Sequence, residues 1–274
     1  MDKRIHLCLA RMSDGENEKK YITEAFDSNW VTSAGPNVEG FEGELARYFG
    51  DGKHVVAVSS GTAAIHLALI LCGVTRGDEV FCQSFTFCAS SNPIVYLGAT
   101  PVFVDSDLDT WNMDPDLLEE ALKERVRSSR KLPKAIIVVH LYGMPAKINR
   151  ISEIARSYHI PLIEDAAEAM GSAFRGKLCG TWGDYGIVSF NGNKMITTSG
   201  GGALICPSEE AKEHAKHLAT QAREALPYYQ HEVLGYNYRM SNICAGIGRG
   251  QMTVLEQHVR HHRRIADFYK SRFS

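Results

Sequence analysis

Short apolar runs alternate with amphipathic segments along most of this chain, and the alternation predicts strands that are separated by helices. The predicted strands are apolar throughout, which is typical of a mainly parallel sheet that helices cover on both faces. Strands are predicted at 54–58, 79–82, 101–105, 135–139, 161–164, 186–190 and 203–206. Helices are predicted at 13–25, 41–49, 63–72, 89–96, 115–127, 151–158, 209–223 and 252–273. We therefore expect an α/β fold.

Most polar candidates for chemistry stand directly after a predicted strand. They are residues 60–62, 84–87, His140, Asp165 and 189–194. In a parallel α/β sheet, ligands bind beyond the carboxyl ends of the strands. The coincidence predicts one cleft along this edge, and it is stronger evidence than any single motif.

Lys194 lies in the stretch GDYGIVSFNGNKMITTSGGG, residues 183–202, which predicts a strand, a polar turn and a glycine cluster. A lysine at a strand end can reach into a cleft and form an imine with an aldehyde, once its surroundings favour the neutral amine. Taken alone, this residue favours a solvated loop lysine, so its assignment depends on the rest of the chain.

Three other groups fit the same chemistry. Residues 59–62 join a strand to a helix, where free backbone N–H groups suit a phosphate, although a routine helix cap explains them equally well. Asp165 can hold a protonated ring nitrogen, but also a metal ion or a helix cap. Phe85 and Phe87 can stack on a flat ring, although aromatic residues more often pack in cores. Together with an imine-forming lysine, these are the parts of a pyridoxal phosphate site.

The composition of the 274 residues narrows the class of protein. A formal net charge of −2 without a strongly basic segment argues against nucleic-acid binding, and no apolar run approaches membrane-spanning length. The N-terminal stretch, residues 1–10, is a poor match to a signal peptide. Seven widely spread cysteines without a C-x-x-C motif indicate reduced thiols in the cytoplasm rather than a metal site.

At this point a specific resemblance is visible. The chain resembles the DegT/DnrJ/StrS family of pyridoxal-phosphate-dependent sugar aminotransferases, which have the aspartate-aminotransferase fold. The matching stretches are SSGTAAIHLAL (59–69), QSFTFCAS (83–90), PVFVDSDLDTWNMDP (101–115), VHLYGMPA (139–146), 164–202 and GYNYRMSN (235–242). They are collinear and cover most of the chain.

The resemblance implies roles for the residues around the cofactor ring. Lys194 is the expected Schiff-base lysine, and Asp165 is the expected partner of the pyridine nitrogen. Phe87 is expected to stack on the ring, and Glu168 to lie near the ring hydroxyl. Glu168 stands where relatives more often have glutamine, Gln83 where they have proline, and Asn191 where many have histidine.

The resemblance also implies how the cofactor phosphate is bound. Gly61, Thr62 and Ser189 are expected to hold it, and Asn237 is expected to reach the phosphate of a neighbouring subunit. A homodimer with shared active sites follows. No metal ion is expected.

The SFNGNK and GYNYRMSN motifs are most similar to enzymes that aminate C4 of UDP-linked 4-keto-6-deoxy-N-acetylhexosamines, with glutamate as the usual donor. The alternatives are amination at C3 and a pyridoxal phosphate-binding protein without turnover. A cysteine desulfurase is disfavoured because no cysteine stands on an evident glycine-rich loop. We expect a large cofactor-binding domain over residues 1–250, with residues 251–274 leading into a C-terminal domain that is largely absent.

Overall fold

The computed structural model describes residues 10–50 and 52–273, which form an α/β fold. The helices are α1 (Asn17–Asp27), α2 (Pro36–Phe49), α3 (Gly61–Leu71), α4 (Asn92–Tyr96), α5 (Pro115–Arg127), α6 (Ile148–Ser157), α7 (Glu209–Ala219), α8 (Asn242–Met252) and α9 (Leu255–Phe273). The strands are β1 (His54–Val58), β2 (Glu79–Gln83), β3 (Thr100–Val104), β4 (Ala135–Val139), β5 (Leu162–Asp165), β6 (Ala173–Phe174), β7 (Lys177–Leu178), β8 (Tyr185–Ser189) and β9 (Gly202–Cys206).

Seven strands form the central sheet in the order β1-β9-β8-β5-β4-β2-β3. Only β9 among these strands runs antiparallel to its neighbours, β1 and β8. The other strands point the same way, so their carboxyl ends share one edge, as the mainly parallel sheet predicted from the apolar strands requires. The start of β9 lies at the same edge.

Helices cover both faces of the sheet because successive residues of each strand point to opposite sides. One face packs against α3 and α7 through residues such as Val56, Ile163 and Leu204. The other face has two clusters. Val55, Val188 and Ile205 pack with α2, α8 and α9, and a second group of strand residues packs with α5 and α6.

Several predicted helices have different bounds in the structure, and the reason is visible for two of them. The helix predicted at 89–96 is a short 3-10 turn, Cys88–Ser90, followed by α4, because Pro93 has no backbone N–H with which to continue a helix from Ala89. The helix predicted to end at Arg223 ends at Ala219, where the chain turns into a bridge between Thr220 and Asn237.

Further predictions concern composition and the N-terminus. Six cysteines are free thiols, and Cys8 lies with residues 1–9 outside the described ranges, as does most of the N-terminal stretch compared with signal peptides. Within residues 10–50 and 52–273, no helix is long and apolar enough to span a bilayer.

Candidate active site

Lys194 lies on a closed loop that leaves the end of β8. The Phe190 N–H donates to the Gly201 carbonyl at 2.9 Å, and the Lys194 N–H donates to the Asn191 carbonyl at 3.0 Å. The first bond closes the loop where it leaves the sheet, and the second forms a tight turn inside the loop that ends at Lys194. The Lys194 side chain is only 16% exposed, so Lys194 is not the solvated loop lysine that its local sequence alone favours.

The amine of Lys194 contacts a carboxylate, Glu168, in the turn that follows the neighbouring strand β5. Lys194 Nζ donates to Glu168 Oε1 at 3.2 Å, and the other oxygen of Glu168 accepts the backbone N–H of Tyr142 at 2.7 Å. Tyr142 has a φ of 53°, a left-handed conformation that costs a bulky residue about 1–3 kcal/mol. The Glu168 carboxylate therefore joins the lysine loop to the loop after β4.

Asp165 is the last residue of β5, and its side chain is almost fully buried. Ser90 Oγ donates to Asp165 Oδ2 at 2.7 Å, and the Ala167 N–H donates to Oδ1 at 3.1 Å. Burial raises the pKa of the Asp165 carboxyl, although these two hydrogen bonds and the charge of Lys194 favour the ionised form. A positively charged partner would stabilise this carboxylate further.

The start of α3 faces the end of β8 across the first residue of β9. Ser60 caps α3 by accepting the Ala63 N–H at 3.0 Å, and a Cβ placed on Gly61 would lie 3.6 Å from Ser189 Oγ. A Cβ on Gly202 would lie 2.4 Å from the Gly61 backbone nitrogen, so only glycine allows this approach. Thr62 is half-buried in the first turn of α3. The arrangement combines a helix N-terminus with a serine hydroxyl, which suits an anion.

The structure explains the glycine cluster of residues 200–202 through packing. Gly201 and Gly202 are required by contacts with Thr198 and the start of α3, whereas a Cβ on Gly200 would meet no atom within 4 Å. At these two positions the group that approaches the backbone belongs to this chain.

Phe87 and Asn237 are the most exposed of the predicted site residues. Phe87 is 74% exposed and directly precedes the 3-10 turn that carries Ser90, whose hydroxyl donates to Asp165. Asn237 is exposed, and its backbone forms a bridge with Thr220. The next residue, Tyr238, accepts the Ser59 N–H at 2.8 Å, which places this segment along the carboxyl end of β1.

His140, a candidate from its position after β4, has a structural role. Its Nε2 lies 2.9 Å from Glu164 Oε2, and its Nδ1 accepts the Ala146 N–H at 3.1 Å, so the ring proton is on Nε2. Glu164 also accepts the backbone N–H groups of Gly180, Trp182 and Gly183. Both side chains are fully buried; His140 holds the loop after β4, and Glu164 holds the loop that leads to β8.

A cavity of about 370 Å³ opens beside Lys194 and Glu168. Its far wall is α9, which contributes His258, His261 and Arg264. Among the described residues, no group of three or more histidine, cysteine or carboxylate side chains is arranged to bind a metal ion.

Sequence reasoning identified Lys194, Asp165 and Glu168, which the structure brings together, but it missed Ser90 and Tyr142. Ser90 ends the matching stretch 83–90, but no role was assigned to its hydroxyl, which donates to Asp165. Tyr142 contributes a backbone N–H, which leaves no signal in the sequence.

Comparison with known proteins gives a consistent result. The profile of the DegT/DnrJ/EryC1/StrS aminotransferase family matches residues 12–274. EpsN of Bacillus subtilis (strain 168), designated a pyridoxal phosphate-dependent aminotransferase, is 53% identical over 271 residues, which are 99% of this chain and 69% of EpsN. The GDP-perosamine synthase of Escherichia coli O157:H7 is 42% identical over 253 residues, which are 92% of this chain and 67% of that enzyme.

A similar solved structure is Spr1654 from Streptococcus pneumoniae, described as a sugar aminotransferase. In its PMP-form it superposes with a TM-score of 0.89 at 27% identity, and the match covers 99% of this chain and 73% of that one. The same protein is also known in a PLP-form.

Proposed function

Because this chain belongs to the DegT/DnrJ/EryC1/StrS aminotransferase family, we propose that it transfers an amino group from glutamate to C4 of a UDP-linked 4-keto-6-deoxy sugar. The family and its sugar-aminotransferase members give pyridoxal phosphate as the cofactor and a sugar as the acceptor. The observation that carries the proposal is the contact of Lys194 with Glu168 beside the buried Asp165.

The residues at the sheet edge fit this cofactor. Asp165 is a buried carboxylate whose raised pKa reflects a lack of solvation, and a protonated ring nitrogen supplies the charge that stabilises it. The helix N-terminus at Gly61 and Thr62 faces Ser189 and suits a phosphate. Bound pyridoxal phosphate supplies an aldehyde carbon for the amine and a ring that withdraws electrons.

Each protein group has a defined task in this proposal. Lys194 Nζ would hold the cofactor covalently through its aldehyde carbon, and the free amine of Lys194 would accept the proton from the α-carbon of the amino-acid donor. Glu168 orients Nζ through the 3.2 Å contact. Asp165 keeps a proton on the ring nitrogen, and Ser90 holds Asp165 in place. Phe87, whose side chain is exposed, would stack on the cofactor ring.

A GDP-linked sugar is the second candidate acceptor. It is favoured by the 42% identity to an enzyme named GDP-perosamine synthase, which exceeds the identity to the solved sugar aminotransferase. Amination at C3 is the remaining alternative within this class of reaction.

We also propose a homodimer in which Asn237 contributes to the site of the neighbouring subunit. Asn237 is exposed, and the segment before it carries exposed apolar side chains, including Tyr229 and Leu234. Exposed apolar patches of this kind are typical of subunit interfaces. The two-part domain division and the cytoplasmic location inferred from the cysteines stay predictions.

The proposal is tested in two half-reactions. Protein loaded with pyridoxal phosphate is mixed with glutamate, and 2-oxoglutarate is measured. The product is then mixed with UDP-linked and GDP-linked 4-keto and 3-keto sugars, and the amino sugar is identified by mass spectrometry and NMR. If 2-oxoglutarate is released but no sugar is aminated, the proposed reaction with glutamate is supported and the proposed sugar acceptor is wrong. No reaction with glutamate would favour the binding protein without turnover.

Lys194→Ala is the matched control for the covalent link. Borohydride reduces the C=N bond that forms with loss of water between the cofactor and its lysine, so the wild-type chain gains the mass of one pyridoxyl phosphate group. The variant is expected to gain none, because Lys194 is the only lysine among the described residues that line the cavity. A cofactor that remains attached to another lysine would remove Lys194 from its proposed role.

A further inference from the structure

Gln251 lies near the end of α8 and lines the same cavity as Lys194. It is only 1% exposed, and its side-chain amide contacts three separate parts of the chain. Gln251 Oε1 accepts the Thr197 N–H at 3.3 Å. The Nε2 group donates to Glu18 Oε1 at 2.6 Å and to the Arg11 carbonyl at 3.1 Å. One side chain therefore joins the loop of Lys194, the helix α1 and the segment that precedes α1.

The contact with Thr197 fixes the lysine loop, which we define as residues 190–201 between β8 and β9. Thr197 Oγ1 donates to the Phe190 carbonyl at 3.2 Å and accepts the Ser199 N–H at 2.9 Å, so Thr197 is the internal anchor of the loop. It stands three residues after Lys194. Because this connection is short, a shift of the Thr197 backbone also moves the backbone that carries Lys194.

Glu18 is a buried carboxylate that fixes the orientation of the Gln251 amide. It also accepts the Ser13 N–H at 3.0 Å and the Ser13 hydroxyl at 2.7 Å. Although burial raises the pKa of Glu18, the hydrogen bonds from Gln251 and Ser13 lower this pKa below its usual value, so the group is ionised at neutral pH. A buried charge that loses a hydrogen bond is strongly destabilising, and Glu18 therefore holds the Gln251 amide in one orientation.

The three contacts of Gln251 need a donor and an acceptor on the same side chain. The Thr197 N–H needs an acceptor, whereas the Glu18 carboxylate and the Arg11 carbonyl need donors. An ionised glutamate has acceptors only and would repel Glu18, and a lysine has donors only. Methionine has a similar length and provides neither. The hydrogen bonds therefore depend on the amide group and not on the volume of the side chain.

The lysine loop and one wall of the cavity share this anchor. Arg11 and Ser13 line the cavity, and both are held by the amide of Gln251 or by its partner Glu18. The Lys194 amine is held separately, by the 3.2 Å contact with Glu168. Glu168 thus orients the amine, and Gln251 fixes the backbone from which the lysine side chain extends.

We propose that Gln251 is a positioning residue, which holds the lysine loop so that Lys194 Nζ meets the aldehyde carbon of the cofactor. This inference rests on the proposed covalent link at Lys194. In that step the neutral amine adds to the aldehyde carbon, a C=N bond forms, and the aldehyde oxygen leaves as water. Gln251 acts on the step through Thr197, by limiting where the amine can lie.

The test compares two forms of the cofactor. Pyridoxal phosphate is added to the cofactor-free protein, samples are reduced with borohydride at successive times, and the modified lysine is quantified by mass spectrometry with peptide mapping. Gln251→Met is expected to slow attachment at Lys194 about tenfold, because a small misplacement of a reacting group slows its reaction steeply. Pyridoxamine phosphate has no aldehyde and cannot form the bond. Its affinity, measured by calorimetry, is expected to change less than about twofold, because the lysine loop would not hold it covalently.

Asn17→Ala is the matched control. Asn17 Nδ2 donates to Thr253 Oγ1 at 2.7 Å, so this bond also joins α1 to the end of α8, but it lies outside the Gln251 network. Attachment in Asn17→Ala is expected to match the wild type. Equal attachment rates in the wild type and Gln251→Met would overturn the proposal, as would equal losses in Gln251→Met and Asn17→Ala. A parallel loss of pyridoxamine phosphate binding would show a general structural defect and would also overturn it.

Glu18→Gln carries the test if melting curves show that Gln251→Met is unfolded. The amide keeps the shape of the carboxylate and an acceptor for Gln251, but the hydrogen bond loses its charge and weakens. Attachment is expected to slow about threefold, and a wild-type rate would overturn the proposal. The wild-type chain tests the proposed function separately. No attachment at Lys194 in the wild type would refute the covalent link, whereas normal attachment in all variants would refute only the role of Gln251.

Discussion

Asp165→Asn separates the chemical role of this carboxylate from its structural role. The amide has nearly the shape of the carboxyl group and can keep both contacts. Its oxygen can accept the Ala167 N–H, and its NH₂ can donate to Ser90 Oγ, which then donates to Thr86 Oγ1, 2.8 Å away. The substitution therefore removes a charge and leaves the local hydrogen bonds intact.

The magnitude follows from the burial of Asp165, which is 5% exposed. A pair of unit charges at about 4 Å interacts by about 4 kcal/mol at the effective dielectric constant of a buried site, but by only about 1 kcal/mol in water. Because the proton on the ring nitrogen depends on this pair, we expect the half-reaction with glutamate to slow about 10³-fold. If the carboxylate were solvated, the same substitution would slow the half-reaction only about fivefold.

Stopped-flow measurement of the reaction with glutamate decides between these values, with bound cofactor quantified beforehand. A loss smaller than tenfold at full cofactor occupancy would show that the buried pair does not drive the chemistry. Retention of wild-type rates would remove Asp165 from the mechanism.

Although Asp165→Asn is expected to slow the reaction, it is expected to stabilise the cofactor-free protein. Burial raises the pKa of Asp165 in the folded state, so its contribution to stability is present at low pH and is lost as the pH rises through the folded pKa. Asp165→Asn should therefore raise the melting temperature more at pH 8 than at pH 4. Thermal unfolding at the two values checks this, and an equal shift at both would contradict it.

Two further substitutions test the framework of the site. Gly202→Ala should weaken cofactor binding and destabilise the fold by about 1–3 kcal/mol, because its Cβ would lie 2.4 Å from the Gly61 nitrogen. Gly200→Ala is the control, because its Cβ would meet no atom within 4 Å. Equal effects of the two substitutions would refute the steric argument. Glu164→Ala should destabilise the protein by about 3–5 kcal/mol in urea unfolding, because it leaves His140 and the loop N–H groups without their acceptor. A loss below about 1 kcal/mol would show that water replaces the carboxylate.

The parallel part of the fold is predictable because apolar strands and capped helices leave strong local signals. The helix that begins at Pro115 shows this well, since Asp114 accepts the N–H groups of Asp116 and Leu117 as a cap. The direction of β9 has no such signal. An antiparallel strand buried on both faces has the same apolar sequence as its parallel neighbours.

The helix α8 was missed for a different reason. Its sequence NICAGIGRGQM contains glycines that each cost about 1 kcal/mol relative to alanine in a helix. In the fold, a Cβ on Gly248 would lie 2.6 Å from the Phe41 ring, and one on Gly250 would lie 2.5 Å from the Glu18 nitrogen. These glycines let α8 lie close to α1 and α2, and tertiary packing outweighs the local preference.

The candidate site was predictable only in part. The alternation of strands and helices places Asp165 and Lys194 at one edge of the sheet, and the family resemblance adds Glu168, but neither gives a role to the side chain of Ser90. The position of the Tyr142 N–H depends on a left-handed conformation, which the sequence does not mark with glycine at this residue.

Glu164 and Asp165 are neighbours in sequence, yet they face opposite sides of the sheet and do different work. A shift of β5 by one residue would exchange the positions of the two acids. Glu164 would then face the cleft, and Asp165 would lie on the opposite side of the sheet. Paired hydrogen bonds between Leu162 and Asp184, at 2.8 and 2.9 Å, fix the alignment at the far end of the strand. A substitution of Asp184 that shifts the register of β5 would therefore abolish activity, although it changes none of the residues that bind a ligand.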